Sequence, residues 1–109
     1  MDFNDYQTQA KTTAKYPNAG DNLYYPALGL GGEVGEMQNK IKKVMRDDGG
    51  ELHEEVRQNL ITELGDVLWY CAALAMELNV DLEEVAQRNL DKLSSRKTRG
   101  TLHGSGDNR

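Results

Sequence analysis

Two short acidic phrases constrain the fold of this 109-residue chain more than any other feature. They read EVGE at positions 33–36 and ELGD at positions 63–66, so each has the form acid, aliphatic, glycine, acid. In a helix, acids three positions apart share a face and repel each other. A glycine inside a helix costs about 1 kcal/mol more than alanine. A cation held between two closely packed helices would offset both costs, so the phrases predict one metal site.

Charge and cysteine content narrow the classes of protein this chain can belong to. The formal net charge of −5, from 18 acidic and 13 basic residues, argues against binding nucleic acid through the whole surface. A single cysteine excludes an internal disulfide and a cysteine-rich zinc site. The first five residues are acidic and polar, unlike a signal peptide, and no apolar run reaches the length of a membrane span. We expect a cytoplasmic protein without a membrane or a nucleic acid polymer as partner.

Apolar residues recur with a helical period in four segments, and no strand pattern is present. The predicted helices cover approximately positions 3–16, 27–46, 51–78 and 82–95. The fourth is predicted to begin with a capping box that has Asp81 as N-cap and Glu84 at the third helical position. We therefore expect one all-α domain over positions 1–99, a four-helix-type bundle, followed by a glycine-rich mobile tail at 100–109.

The third predicted helix contains ten consecutive uncharged residues, at positions 67–76. A helix that is apolar on all sides in so small a protein should be central or buried in a subunit interface. We therefore expect an oligomer, most simply a symmetric dimer. In the fourth helix, the residues expected to face inward are Leu82, Val85, Ala86, Leu90 and Leu93. Tyr24 and Tyr25, in the linker before the second helix, suit either packing or base stacking.

The acids of both phrases border the apolar stripe of their helix on the same side. If the two helices pack as an antiparallel pair, the four carboxylates converge, and Gly35 and Gly65 would permit close approach. Oxygen-only ligands select a hard cation, Mg²⁺ or Mn²⁺, over zinc. Such a site leaves positions for water and substrate phosphates, which indicates chemistry on a phosphate ester or anhydride.

Further polar residues extend this surface by one turn on each helix. Lys40 follows Glu36 by four residues, so it suits either an ion pair with Glu36 or a phosphate contact, and Lys43 could assist. Tyr70 follows Asp66 by four residues, where packing is the ordinary role and a place beside the acids favours a functional one. Bases near the end of the fourth helix suit either a solvated helix end or closure over phosphates; they are Lys92, Arg96, Lys97 and Arg99.

The acidic phrases and their flanks resemble the MazG-like nucleotide pyrophosphohydrolases of the all-α nucleoside triphosphate pyrophosphatase superfamily. The family signature is E-x-x-E, a spacer, then E-x-x-D. The flanks at positions 25–30, 42–43, 66–70 and 89–109 are similar to those of the small standalone or phage-type members.

This resemblance implies hydrolysis of nucleoside or deoxynucleoside triphosphates between the α and β phosphates, in a homodimer or homotetramer. It also implies a set of catalytic and Mg²⁺-binding acids, namely Glu33, Glu36, Glu63 and Asp66. The implied substrate contacts are Lys40 or Lys43, Tyr70, Asn89, Lys92 and Arg96, to which the basic cluster adds Lys97. Asn89 stands three residues before Lys92, whereas many larger members have two.

Two alternatives remain open at the level of sequence. One is a helical interaction module that kept the fold, lost catalysis and acts through the uncharged stretch. The other is a narrower enzyme acting on dUTP or phosphoribosyl-ATP.

Overall fold

Clusters of turn-forming residues divide the chain into four helices. The computed structural model describes residues 1–109 and contains no strand. The helices are α1 (Phe3–Lys11), α2 (Tyr24–Asp47), α3 (Glu54–Glu77) and α4 (Leu82–Thr98). The predicted all-α class is confirmed. None of these helices combines the length and the apolar character that crossing a membrane requires.

Helix α3 is the central element, because it contacts each of the other three helices. Its second half carries the buried residues Ala72, Ala73 and Ala75, within the stretch predicted to be central. Around Ala72, Ala75 and the buried Leu82 pack four partly buried side chains, Tyr6, Ala10, Cys71 and Val80. The small alanine side chains let α1 and the start of α4 lie close to α3. Helix α2 contacts α3 alone, so within one chain the four helices do not share a common core.

Helix α2 begins at Tyr24, earlier than the predicted start between positions 27 and 32. Pro26 therefore falls in the first turn, where backbone N–H groups have no acceptor within the helix. The missing N–H of proline costs no helical hydrogen bond there. The side chain of Asn22 accepts a hydrogen bond from the Tyr25 backbone N–H at 3.2 Å, which satisfies one donor of that turn. Helix α2 ends at Asp47, where Gly49 and Gly50 adopt positive φ angles of 61° and 84°.

The start of α4 is stabilised by a residue from α1. Asp81 occupies the N-cap position as predicted, but its side chain makes no capping hydrogen bond, so the predicted capping box with Glu84 is wrong. The Gln7 side chain instead accepts from the Leu82 backbone N–H at 2.9 Å and donates to the Val80 carbonyl at 3.2 Å. A tertiary contact thus supplies the cap that a local side chain was expected to supply.

Helix α1 ends at Lys11, short of the predicted Tyr16, and the linker that follows is fastened to α3. The Glu77 carboxylate accepts hydrogen bonds from the Tyr16 hydroxyl and from the backbone N–H of Gly20 and Asn22. Tyr16 then stacks on Tyr25 with ring centroids 4.8 Å apart, so Tyr25 packs against the linker.

Most of the apolar face of α4 does not meet its own chain. Leu82 is buried, but Val85, Leu90 and Leu93 are exposed, with 59% exposure at Leu90. The expectation that this stripe faces an internal core is therefore wrong for the single chain. The radius of gyration of 16.9 Å exceeds the roughly 13 Å typical of a domain of this length.

The glycine-rich segment at 100–109 folds back on the end of α4. The Arg96 guanidinium donates to the Asp107 carbonyl at 2.7 Å, and that of Arg99 donates to the Arg109 carbonyl at 2.6 Å. The boundary at residue 99 and the mobility of this segment stay predictions.

Candidate metal centre

Helices α2 and α3 bring three carboxylates together where they pack against each other. Glu33 and Glu36 lie one turn apart on α2, and Glu63 lies on α3. One carboxylate oxygen from each residue can be chosen so that all three lie within 4.8 Å of one another. Acids from both phrases therefore meet, although thirty positions separate the phrases in sequence.

Asp66, the fourth acid, lies beside this cluster and is not a member of it. Its side chain is exposed, one turn along α3 from Glu63. It is nevertheless close enough that its negative charge helps to raise the pKa of Glu33. The structure thus brings three of the four predicted acids into one group and places the fourth at its edge.

The carboxylates of the cluster repel one another. Burial raises the pKa of Glu33 above its ordinary value. A side-chain hydrogen bond with Glu63 raises this pKa further, and so do the negative charges of Glu36, Asp66 and Glu63. Ionised carboxylates accept hydrogen bonds and donate none. Two of them in contact are therefore stabilised only by a proton or a cation placed between them.

Lys40 supplies part of that positive charge from α2. Its Nζ lies 3.6 Å from Oε1 of Glu63 across the helix pair, so the predicted ion pair within α2, with Glu36, is not the one that forms. The other carboxylate oxygen of Glu63, Oε2, is buried without a hydrogen-bond donor. A buried acceptor without a partner costs about 1–3 kcal/mol, and more when it is charged.

These observations fit a hard divalent cation. The donor set is entirely oxygen, which Mg²⁺ and Mn²⁺ prefer. Three negative charges meet one lysine, so the cluster retains a net negative charge that a cation would neutralise. The partnerless Oε2 of Glu63 is an available ligand atom in the group.

The glycines of the two phrases do not have the role expected of them. A Cβ atom added at Gly35 or Gly65 would meet nothing within 4 Å, so neither glycine is needed for close helix packing. The glycine that does permit a close approach is Gly29, one turn before Glu33. A Cβ there would lie 2.2 Å from Cε1 of Tyr70. The sequence shows a glycine one turn before the first acid, but it does not distinguish Gly29 from the nearby Gly31 and Gly32.

Aromatic side chains form the wall next to the acids. Tyr70 packs edge-to-face on Trp69 with ring centroids 5.1 Å apart, and Trp69 packs in the same way on Tyr16. Burial raises the pKa of Tyr70, and interactions with Tyr25 and the charges of Glu33 and Asp66 raise it further. The Tyr70 ring lies against Gly29, one turn before Glu33 on α2. The role of Tyr70 as a substrate contact stays a prediction.

The remaining predicted substrate contacts lie elsewhere in the single chain. Lys43 is exposed on α2. Asn89 and Lys92 line an open groove with Leu78 and Val80, at the far end of α3. Since Leu78 follows Glu63 by fifteen residues, the helical rise places Leu78, which lines that groove, about 22 Å from Glu63.

The two bases at the end of α4 differ in their surroundings. Arg96 is buried and donates to the Asp107 carbonyl, whereas Lys97 is exposed. Neither side chain contacts the carboxylate cluster.

Together these features define an all-α protein with a carboxylate cluster between two adjacent helices. The family model of the MazG nucleotide pyrophosphohydrolase domain matches residues 26–100, which include the whole cluster. The chain therefore belongs to the MazG nucleotide pyrophosphohydrolase family, as the resemblance of its acidic phrases predicted. Its sequence is also 53% identical, over 114 aligned positions and the full length of both chains, to the Gene 37 protein of Mycobacterium phage L5. No solved structure matches the chain.

Proposed function

We propose that this protein is a Mg²⁺-dependent nucleoside or deoxynucleoside triphosphate pyrophosphohydrolase. It cleaves between the α and β phosphates and releases a nucleoside monophosphate and pyrophosphate. The observation that carries this proposal is the cluster of Glu33, Glu36 and Glu63, with a buried partnerless oxygen, in a chain of the MazG family.

The three clustered glutamates would hold the cation, and Asp66 at the edge of the cluster would supply a fourth carboxylate. The contacts along α2 and α3 support an antiparallel pair, since Gly29 meets Tyr70 while Lys40 meets Glu63. Position numbers thus rise along one helix as they fall along the other. In such a pair, both acidic phrases lie beside the same stretch of the contact between the two helices.

Each group at the site has a separate task in this reaction. When bound there, Mg²⁺ would supply positive charge to the phosphates and would lower the pKa of a water molecule. Lys40 adds a mobile positive charge beside the cluster that can reach a phosphate oxygen. Tyr70 offers an aromatic wall for the nucleoside part of the substrate. One carboxylate of the cluster orients the attacking water.

A second copy of the chain would complete the site. The exposed apolar residues of α4 join others on α2 and α3, among them Ile41, Met45, Ile61 and Leu64. Exposed apolar surface on this scale marks an interface. Asn89 and Lys92 line a groove with Leu78, which lies about 22 Å from Glu63 by the helical rise, so they would contact a nucleotide held by a partner copy. The proposed assembly is a homodimer or a homotetramer.

The test is pyrophosphate release from a panel of nucleotides in the presence of Mg²⁺, with every product identified. The panel contains the ordinary ribonucleoside and deoxyribonucleoside triphosphates, together with dUTP and phosphoribosyl-ATP. Turnover of one of the last two alone would assign the narrower enzyme. A folded sample that releases pyrophosphate from none of them would overturn the proposal and favour the interaction module.

Matched variants separate the site from general effects of charge. Glu36→Gln and Glu63→Gln should abolish turnover and leave the helical circular dichroism signal nearly intact. Glu55→Gln is the control, since Glu55 is an exposed acid in the first turn of α3, outside the cluster. Its turnover should match that of the unaltered protein.

A further inference from the structure

Among the helical glycines, Gly29 is the one at which a side chain would collide with a neighbouring residue. A Cβ atom at this position would lie 2.2, 2.5 and 2.7 Å from three ring carbons of Tyr70. Contacts this short do not occur between real atoms, so either the ring or the helix would have to move. With any other residue at position 29, the Tyr70 ring could not occupy its observed place.

The other helical glycines show that this requirement is specific. A Cβ at Gly31, Gly32, Gly35 or Gly65 would meet nothing within 4 Å. Each of these glycines costs the helix about 1 kcal/mol relative to alanine. Only at Gly29 does the structure show a contact that alanine would prevent.

The ring seated on Gly29 lies next to the carboxylate cluster. Gly29 precedes Glu33 by one turn on α2, and Tyr70 follows Asp66 by one turn on α3. Residues four positions apart are neighbours on a helix surface, so the ring is one turn from an acid of each phrase. Trp69 packs edge-to-face on the same ring, with the two ring centroids 5.1 Å apart. Contacts with both Gly29 and Trp69 therefore restrict the position of this aromatic wall relative to the acids.

We propose that Gly29 is a positioning residue, which sets the Tyr70 ring as the surface that receives the sugar and base of the nucleotide. This inference rests on the proposed function and adds a residue to it. The charged phosphates belong at the carboxylates with their cation, so the adjoining apolar wall suits the nucleoside part. Gly29→Ala would displace the ring while leaving the carboxylate cluster intact.

Four variants test this assignment by steady-state kinetics. Gly29→Ala and Tyr70→Ala should each raise KM for the preferred nucleotide roughly fivefold or more, the effect of losing a base–aromatic contact. They should change kcat less than KM. The double variant Gly29→Ala/Tyr70→Ala should be no worse than Tyr70→Ala, because the ring that the new methyl group strikes is gone. Gly31→Ala, in open space on the same helix, should keep the unaltered KM.

Two measurements do not depend on turnover. The emission of Trp69, the single tryptophan of the chain, reports the ring packed on it and should change in Gly29→Ala and not in Gly31→Ala. Calorimetric affinity for Mg²⁺ should be the same in Gly29→Ala and the unaltered protein.

The outcomes separate this inference from the function on which it rests. If the unaltered protein releases no pyrophosphate, the proposed function fails. If it does so and Gly29→Ala retains its KM and Trp69 emission, the positioning role alone is refuted. Additive losses in the double variant would also refute it, since they would show that Gly29 acts independently of Tyr70.

Discussion

Replacing Glu36 by glutamine should stabilise the protein without Mg²⁺ and weaken its stabilisation by Mg²⁺. Glu36 is an exposed member of the cluster, and the lysine nearby pairs with Glu63 instead. The substitution therefore removes two repulsive interactions, with Glu33 and with Glu63, and breaks no ion pair. It keeps the size and helix propensity of the side chain almost unchanged.

The expected magnitude follows from the spacing of the carboxylates. Two unit charges 4.8 Å apart in water repel by about 0.9 kcal/mol, so two such pairs contribute about 2 kcal/mol. At physiological ionic strength the Debye length of about 8 Å reduces this sum to about 1 kcal/mol. For a domain of this size that corresponds to a rise in Tm of roughly 4 °C. The gain should shrink as NaCl is added.

Differential scanning calorimetry of the chelator-treated and Mg²⁺-saturated proteins at pH 8 measures both effects. The unaltered protein should gain more stability from Mg²⁺ than Glu36→Gln, because binding to the folded state stabilises it in proportion to the logarithm of affinity. Glu55→Gln, which lies outside the cluster, should show the full Mg²⁺ effect and no gain without it. A lower Tm for chelator-treated Glu36→Gln, together with an undiminished response to Mg²⁺, would refute this account of the cluster.

Three further predictions address other parts of the molecule. Lys40→Met should tighten Mg²⁺ binding roughly five- to tenfold in a calorimetric titration. The substitution removes an ammonium group that lies 3.6 Å from Glu63 and competes with the cation. Weaker binding would contradict this prediction. The Tyr16 hydroxyl lowers the pKa of Glu77, so this carboxylate stabilises the fold above its ordinary pKa and loses that contribution as the pH falls through its lowered value. Glu77→Gln should thus cost roughly 1–3 kcal/mol in urea unfolding at pH 7, with a gap to the unaltered protein that narrows in acid; a gap that widens in acid would be contrary to expectation. Leu90→Lys, at an exposed apolar position of α4, should lower the oligomeric state in analytical ultracentrifugation, and an unaltered protein that sediments as a monomer would exclude the proposed interface.

The helices and the meeting of the acids could be predicted because both depend on local spacing. Periodic apolar residues determine which face of a helix is buried. Acids at i and i+3 that border this face therefore lie beside the contact between the two helices. For an antiparallel pair, the matched phrases therefore predicted that Glu33, Glu36, Glu63 and Asp66 converge, and the structure groups the first three. Asp66 stands in the same relation to Glu63 as Glu36 does to Glu33, so helical spacing alone does not distinguish the member of the cluster from the acid at its edge.

Features that depend on tertiary contacts could not be predicted in this way. Spacing within one helix suggests for Lys40 either an ion pair with Glu36 or a phosphate contact, yet its long flexible side chain reaches the partly buried Glu63 on the neighbouring helix. The cap of α4 comes from Gln7, which is 75 residues away from Leu82. The space at Gly29 is required by a ring on another helix, and a sequence shows a glycine without showing what it accommodates. The apolar face of α4 was predicted correctly as apolar, but beyond Leu82 most of it is not covered by a core of its own chain.

The central claim is that the carboxylate cluster supports cleavage of a nucleoside triphosphate between its α and β phosphates. Phosphorus NMR of the reaction mixture measures this directly, because monophosphate, diphosphate, orthophosphate and pyrophosphate give separate signals. With Mg²⁺, the signals of nucleoside monophosphate and pyrophosphate should grow together, and with a chelator neither should appear. Growth of diphosphate and orthophosphate instead, or an unchanged triphosphate spectrum from a folded protein with Mg²⁺, would contradict the account.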